Sequence, residues 1–319
     1  MEKHEDVQYC FQDRNSSCRK ALLSTSIYIT LYIFFSLISA VTVFLNLLVI
    51  ISISHFKQLH TPTNLLIFSL AVSDLLVGLI VIPVTTVAII EPCWGFGEYF
   101  CVFQFYITYL CTSLSLGSLV LISIDRYVAV CDPLLYHTKI TTTRIMCSIS
   151  ITWCCCIIYD AAIMKHFVHL QVPSWCLQEC FIVEGLNWFY IIDIVITMVV
   201  PCSIIITLYI QIFVVARSQA RKVFSKEAVS VSGVKTVQAN KSEQKAEKTL
   251  SIVVFNYLIC WIPFIASYFF TYFLSDNLSF ILSFLPLVNS LINPIIYALF
   301  YPWFKVTAKL ILTMNISRS

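Results

Sequence analysis

Residues 187–217 read NWFYIIDIVITMVVPCSIIITLYIQIFVVAR, and this stretch decides the fold of the chain. It is long enough to cross a bilayer as an α-helix, which takes about 20 apolar residues. Asp193 is its single acidic residue. An acid at the centre of such a helix costs about 2.5–3.5 kcal/mol on insertion. An ionisable residue in that position is by default a candidate functional site.

Six further stretches of the same kind occur along the 319 residues, of which 59% are hydrophobic and 12% charged. A soluble domain carries about 25% charged residues. The seven apolar segments are approximately 26–52, 63–87, 98–125, 145–164, 188–215, 249–273 and 279–300. They are too long for barrel strands and lack alternation, so helices are the expected spanning element. The sequence predicts an all-α membrane protein, a bundle of seven transmembrane helices.

The basic residues predict how the chain is oriented. Five of the 20 fall on one face (Lys3, Arg14, Arg19, Lys20 and Lys165), and the others fall on the opposite face. Because Lys and Arg collect on the cytosolic side, we expect residues 1–25 outside the plasma membrane, with Asn15 in a glycosylation sequon. The first 20 residues have no apolar run of the kind found in a signal peptide.

The same orientation divides the rest of the chain. It gives a bundle at 26–300, a cytosolic loop at 216–248, and an amphipathic helix with a cytosolic tail at 301–319. Between Tyr301 and Thr313 apolar residues alternate with Lys305 and Lys309, which predicts a short eighth helix in the membrane interface.

Polar residues occur inside several spans. Asn46, Asp74, Asn289 and Asn293 fall at one bilayer depth, where each alone is costly. Together they predict either a hydrated cluster able to hold a small cation or a plain packing network. Asp125-Arg126-Tyr127 ends span three at the expected cytosolic face, where it is either a switch that can lock and release or an interfacial anchor. Prolines interrupt four spans, at Pro83, Pro201, Pro263 and Pro294.

These motifs resemble those of the rhodopsin-like G-protein-coupled receptors over nearly the whole chain. The matches, one per span, are Asn46; Leu70-Ala71-Val72-Ser73-Asp74; Asp125-Arg126-Tyr127; Trp153; Pro201 with Tyr209; Cys260-Trp261-Ile262-Pro263-Phe264; and Asn293-Pro294-Ile295-Ile296-Tyr297. The run from Asn289-Ser290 through Tyr301 to Trp303-Phe304 is similar to the fingerprint of trace amine-associated receptors. The short chain and divergent spans resemble a fish olfactory member.

The resemblance implies roles for particular residues. Asp125, Arg126, Tyr127, Tyr209 and Tyr297 would rearrange to admit a G protein, with stimulatory coupling and raised cAMP. The polar network would respond to sodium near Asp74, and no other cofactor and no enzymatic activity are expected. Cys101 would pair with Cys180, and Cys176 with an N-terminal cysteine, the choice among Cys10, Cys18 and Cys93 staying open.

The sequence departs from the family pattern where the ligand's counter-ion should be. Amine receptors carry an aspartate in span three, 18 residues before the arginine of Asp-Arg-Tyr, and here that residue is Thr108. Asp193, about 12 Å outward of Pro201, offers a substitute carboxylate. We therefore expect a small amine, of the trace, biogenic or odorant kind, to bind Asp193. The residues expected to complete the site are Thr108, Tyr109, Thr197 (a hydroxyl for Asp193), Trp261, Phe264 and Tyr268.

Three alternatives stay open. Asp193 is structural if it pairs with Lys165, His166 or His169. Asp160, late in span four, is a second candidate, but an interfacial acid near Lys165 is the favoured interpretation. The same scaffold without the span-three aspartate would also fit a peptide or lipid ligand. A transporter or channel predicts inverted repeats or a series of pore-lining charges, and the sequence has neither.

Overall fold

The structure is a computed structural model that describes residues 25–90, 97–167, 192–227, 249–264, 266 and 276–313, and every regular element in these ranges is helical. We number the long helices in chain order. They are α1, Thr25–His55; α2, Pro62–Leu76 continued by Val77–Val81 and Ile82–Ile90; α3, Gly97–Cys131; α4, Thr142–Phe167; α5, from Ile192 through Val195–Val199 and Val200–Glu227; α6, Thr249–Phe264; α7, Asp276–Phe300; and α8, Pro302–Leu312.

The predicted spans are confirmed as helices. Within the described ranges, α1 to α5 are each long and apolar enough to cross a membrane. The C-terminal part of α7 is long and apolar enough only when it is taken together with α8, and a bend of 102° separates the two. The described part of α6 is a shorter apolar helix. The helices extend beyond the apolar cores, and α5 runs to Glu227, into the stretch assigned to the loop at 216–248. A short helix, Pro133–Lys139, joins α3 to α4.

Two of the predicted proline interruptions coincide with π-helical turns. Val77–Val81 comes just before Pro83 in α2, and Val195–Val199 comes just before Pro201 in α5. Proline has no N–H for the carbonyl four residues earlier, and π turns accommodate such defects, frequently at functional sites. The second turn begins two residues after Asp193.

The buried core lies between α1, α2, α3, α6 and α7. Leu66, Leu70, Leu119, Val253 and Tyr297 are fully buried there. The outward faces are apolar instead of polar, with Phe34 of α1 54% exposed and Phe213 of α5 65% exposed. A surface of this kind matches lipid and not water.

The predicted amphipathic helix is confirmed as α8, which packs against α1. The hydroxyl of Thr307 donates a hydrogen bond to Ser52 (2.9 Å), and Phe304 is buried beneath the helix. Lys305 and Lys309 stay exposed on the opposite face. The apolar face is therefore used for packing, and the basic face lies where lipid headgroups would be.

Candidate functional site

A cavity of about 440 Å³ opens among α2, α3, α5, α6 and α7. Its volume lies in the range that suits a small ligand. Six of the seven predicted ligand residues line it: Thr108, Tyr109, Asp193, Thr197, Trp261 and Phe264. The seventh, Tyr268, lies outside the described residues.

Asp193 is buried in the wall of this cavity, with 5% of its surface exposed. Its Oδ1 accepts a hydrogen bond from the hydroxyl of Tyr159 in α4 (2.7 Å). The expectation that Thr197 would serve this carboxylate is wrong, because the Thr197 hydroxyl donates to the main-chain carbonyl of Asp193 (2.7 Å). The hydroxyl of a threonine in a helix can reach the main-chain carbonyl four residues earlier.

Asp193 has no cationic partner within the described ranges. The ion pairs found there are Arg126–Asp125 and Lys139–Asp132, at the C-terminal end of α3 and in the segment that follows it. The side chains of Lys165, His166 and His169, weighed above as partners of Asp193, lie outside the described part of the chain. A buried acid with one neutral hydrogen bond leaves its charge uncompensated, which is costly in a low-dielectric interior.

The α3 wall of the cavity carries no charge. Thr108 donates its hydroxyl to the main-chain carbonyl of Gln104 (2.8 Å), and Thr112 donates in the same way to Thr108 (2.9 Å). These hydroxyls are thus used as donors within their own helix. No residue of the described α3 wall competes with Asp193 for a cation.

Aromatic rings form the base of the cavity. Trp261 lies edge-to-face with Phe264, with 5.7 Å between ring centroids, and it stacks on Tyr257 at 5.6 Å. Ring faces attract cations and pack against aromatic ligands. Trp261 and Phe264 therefore give the α6 wall of the cavity its aromatic character.

Asp160 lies behind the cavity, and the favoured interpretation of it as an interfacial acid near Lys165 is wrong. The residue is only 2% exposed, and its Oδ1 accepts a hydrogen bond from Ser113 (3.3 Å), a residue of the cavity wall. It is buried because α4 turns this face toward α3. Tyr159, which the sequence interpretation missed, precedes it and points to Asp193.

A network of hydrogen bonds among polar side chains lies next to the cavity and joins α1, α2, α6 and α7. Asn293 donates to Oδ2 of Asp74 (2.9 Å), whereas Asn46 donates to the main-chain carbonyl of Ser290 (3.1 Å). Asn289 accepts from Asn256 of α6 (2.8 Å), a residue that the sequence interpretation missed. The cavity extends to Asn289 and Ser290, so it adjoins this network.

Near the C-terminal end of α3, Asp125 holds Arg126 in a buried ion pair. The guanidinium Nε lies 3.0 Å from Oδ2 of Asp125, and Nη2 donates to Thr63 (2.6 Å). Thr63 also donates to Oδ2 of Asp125 (2.9 Å), and Tyr136 donates to Oδ1 (2.8 Å). Burial, and then the charge of Asp125, raise the pKa of Tyr136, so its phenol stays a donor.

Thr63 and Tyr136 were not among the predicted coupling residues, although Tyr136 stands in the Cys131-to-Lys139 segment right after the motif. Of the others, Tyr297 is fully buried, Tyr209 packs against the core, and Tyr127 is half-buried.

Cys101, near the N-terminal end of α3, is disulfide-bonded. Its expected partner, Cys180, lies outside the described residues, as do Cys10, Cys18, Cys93, Cys176 and Asn15. The predicted pairings and the glycosylation site therefore stay predictions.

Comparison with known proteins places the chain among receptors. Residues 45–297 match the profile of the family described as 7 transmembrane receptor (rhodopsin family). The chain is 35% identical to trace amine-associated receptor 13c of Danio rerio, over 99% of this chain and 95% of that protein. It is 37% identical to trace amine-associated receptor 8a of Rattus norvegicus, over 98% and 94%. It is 40% identical to trace amine-associated receptor 6 of Pan troglodytes, over 81% and 76%.

Proposed function

The chain belongs to the trace amine-associated receptors of the rhodopsin family of seven-transmembrane receptors, and on that premise we propose that it binds a small amine through Asp193. The family is one of multi-pass membrane receptors, not of enzymes, and it implies an amine ligand and a G protein as partners. The observation that carries the proposal is the buried carboxylate of Asp193 in the cavity wall, without a cation among the described residues.

Ammonium is the chemistry that fits this carboxylate. One oxygen of Asp193 is held by the Tyr159 hydroxyl, which fixes the orientation of the group. An ammonium ion brings three donors and one positive charge to the other oxygen. Such a charge-assisted bond is about twice as strong as a neutral one. The aromatic rings of Trp261 and Phe264 suit the body of the ligand.

The proposed mechanism transmits binding down the bundle. An amine at Asp193 contacts Trp261, shifts α6 and alters the Asn256–Asn289 bond that joins α6 to α7. Rearrangement at the cytosolic end then frees Arg126 from Asp125 for the G protein. The ligand acts only to the extent that it binds the active arrangement more tightly than the inactive one. We propose a stimulatory G protein and raised cAMP as the output, from a receptor in the plasma membrane with its N-terminus outside.

A sodium ion fits beside Asp74 in the inactive receptor. The carboxylate is fully buried, and its Oδ1 has no hydrogen-bond partner in the described part of the chain. Ser73, the residue before Asp74, and Ser115, which shares a hydrogen bond of 3.0 Å with Ser73, provide neutral hydroxyl oxygens on α2 and α3. Carboxylate and hydroxyl oxygens are the donors that a hard cation prefers.

The test is a cAMP assay on cells that express the full-length receptor, with a panel of small amines. Asp193→Ala should reduce amine potency by about a hundredfold or more, because breaking a buried ion pair costs about 3–5 kcal/mol. Thr112→Val is the matched control, since Thr112 lines the same cavity but uses its hydroxyl within α3. Equal activation of the wild type and Asp193→Ala, at equal surface expression, would falsify the role of Asp193.

A further inference from the structure

The amide of Gln104 is a buried polar group in the cavity wall that lacks a hydrogen-bond partner. Gln104 belongs to α3, lines the cavity and is 8% exposed. Its Oε1 has no partner among the described residues. A buried amide oxygen without a hydrogen bond is costly, because the water that it bonded in the unfolded chain has not been replaced. The group therefore points to a ligand that completes its bonding.

The alignment of α2 and α3 places Thr85 beside Gln104. A hydrogen bond of 3.0 Å joins Ser73 to Ser115, and a second serine pair, nearer the start of α2 and further along α3, shows that the two helices are antiparallel. Gln104 is eleven residues before Ser115, and Thr85 is twelve residues after Ser73. At about 1.5 Å per residue these separations are roughly 17 Å and 18 Å, so both residues lie at nearly the same depth. Thr85 also lines the cavity, so α2 and α3 together present a hydroxyl and an amide.

Gln104 and Asp193 lie on different sides of the cavity. Ser113, nine residues after Gln104, bonds Asp160 of α4. Nine residues are two and a half turns of an α-helix, so Gln104 faces away from α4. Asp193, in contrast, is held by Tyr159 of α4. Because α3 packs against both α2 and α5, a ligand bound at Asp193 extends past α3 toward α2 to reach Gln104.

A hydroxyl group is the ligand chemistry that suits this end of the cavity. Asp193 is the only charged residue among the described residues that line the cavity, so a second charge would be unpaired beside Gln104. The last torsion of a glutamine side chain is broad and roughly two-fold, so half a turn exchanges its acceptor with its donor. A hydroxyl both donates and accepts, and it can therefore bond the amide in either orientation.

We propose that Gln104 and Thr85 form a second ligand subsite, which binds a hydroxyl group at the end of the ligand opposite its ammonium ion. This inference rests on the proposed role of Asp193 and deepens it. The preferred ligand is then an amine with a hydroxyl group at its other end. The alternative is a Gln104 side chain that only fills space between α2 and α3.

The experiment compares linear ω-amino alcohols with alkylamines of the same chain length. Potency is measured by cAMP and by arrestin recruitment, which does not depend on the class of G protein. The variant is Gln104→Met, which keeps the length of the side chain and removes the amide. We expect it to lower the potency of the best amino alcohol about threefold to tenfold relative to the matched alkylamine, the range of a neutral hydrogen bond. Alkylamine potency should stay the same or rise, because no buried amide is left unpaired.

Three other variants serve as controls. Thr112→Val should leave the potency ratio unchanged, because Thr112 lines the cavity but donates its hydroxyl within α3. Gln104→Asn, whose amide is one methylene further back, should keep the preference and move it to a longer amino alcohol. Thr85→Val removes the neighbouring hydroxyl and should also reduce the preference. It serves if Gln104→Met does not reach the cell surface.

Two results overturn the inference and leave the proposed function intact. One is a potency ratio that is unchanged in both Gln104→Met and Thr85→Val, or an equal loss for both ligand classes. The other is a wild type that responds to alkylamines and to no amino alcohol. The proposed function itself fails if Asp193→Ala leaves both ligand classes at full potency.

Discussion

The hydroxyl of Tyr159 in α4 donates a 2.7 Å hydrogen bond to the carboxylate of Asp193 in α5. This bond joins two helices at the acid that is proposed to bind the ligand. It also occupies one carboxylate oxygen and leaves the other for the cavity. The hydrogen bond from Tyr159 therefore fixes the orientation of the Asp193 carboxylate, which lowers the entropic cost of binding an ammonium ion.

Tyr159→Phe tests the importance of that orientation. We expect amine potency to fall roughly threefold to tenfold, because a typical hydrogen bond contributes about 0.5–1.5 kcal/mol. The fall should be much smaller than for Asp193→Ala. Concentration–response curves in the cAMP assay measure it, with Tyr99→Phe as the control because Tyr99 is 92% exposed. Unchanged potency in Tyr159→Phe would mean that the bond has no part in ligand binding.

The sequence predicted those features that depend on a single stretch of the chain. The length and apolarity of the spans predicted the helices, and the lone acid in 187–217 predicted a site at Asp193 because its cost is visible without a structure. The placement of Asp160 was not predictable in this way. Its distance along the chain from Lys165 suggested an interfacial acid, whereas the rotation of α4 about its axis turns it toward Ser113.

Hydrogen-bond partners between helices were the other gap. Tyr159, Asn256, Thr63 and Tyr136 all bond residues that were predicted, but each pairing depends on which faces of two helices meet. Thr197 is a residue for which sequence spacing predicted the contact but not the atom that is bonded. Its spacing from Asp193 is right for contact, yet its hydroxyl bonds the main chain instead of the carboxylate.

Asp74→Asn tests the proposed sodium site. Sodium bound beside Asp74 would stabilise the inactive receptor, so raising the sodium concentration should lower agonist affinity in the wild type. Asp74→Asn removes the charge but keeps the size, and we expect it to abolish that dependence. The measurement is agonist binding to membranes in sodium chloride against a non-coordinating organic salt at equal ionic strength. A sodium effect that persists in Asp74→Asn places the ion elsewhere.

Tyr136→Phe should raise basal activity. The Tyr136 hydroxyl donates to Asp125, which in turn holds Arg126. We call the arrangement in which Asp125 holds Arg126 closed, and the one in which Arg126 is free open. If the substitution removes about 1 kcal/mol of stabilisation from the closed arrangement, the equilibrium shifts roughly fivefold toward the open one. The pKa of Tyr136 is raised, so the phenol is protonated at neutral pH and below, and the effect should not change with pH there.

Basal cAMP, normalised to surface expression, measures this effect. Thr138→Val is its control, because the Thr138 hydroxyl lies in the same short helix but bonds the main chain of Leu135. Basal activity equal to that of the wild type in Tyr136→Phe would show that the Tyr136 bond does not favour the closed arrangement.

Gly78 marks a close approach of α1 and α2, in the π-helical turn of α2. A Cβ atom at this position would lie 3.0 Å from Cγ2 of Val43, 3.1 Å from Cγ2 of Thr42 and 3.2 Å from the main-chain nitrogen of Val43. The Gly78 carbonyl also accepts a hydrogen bond from Ser39 of α1 (2.8 Å). Backbone cannot move aside as a flexible side chain can, so a larger residue must separate the helices.

We expect Gly78→Val to destabilise the receptor by about 1–3 kcal/mol, as overpacking usually does. Gly78→Ala should have a smaller effect in the same direction. The measurements are surface expression and the thermal unfolding of the detergent-solubilised receptor. Ala161→Val is the control. Ala161 lies on the exposed face of α4, so this substitution adds a valine side chain on the side that faces lipid. If Gly78→Val unfolds at the same temperature as Ala161→Val, then α1 and α2 are not in the tight contact that the Gly78 geometry requires.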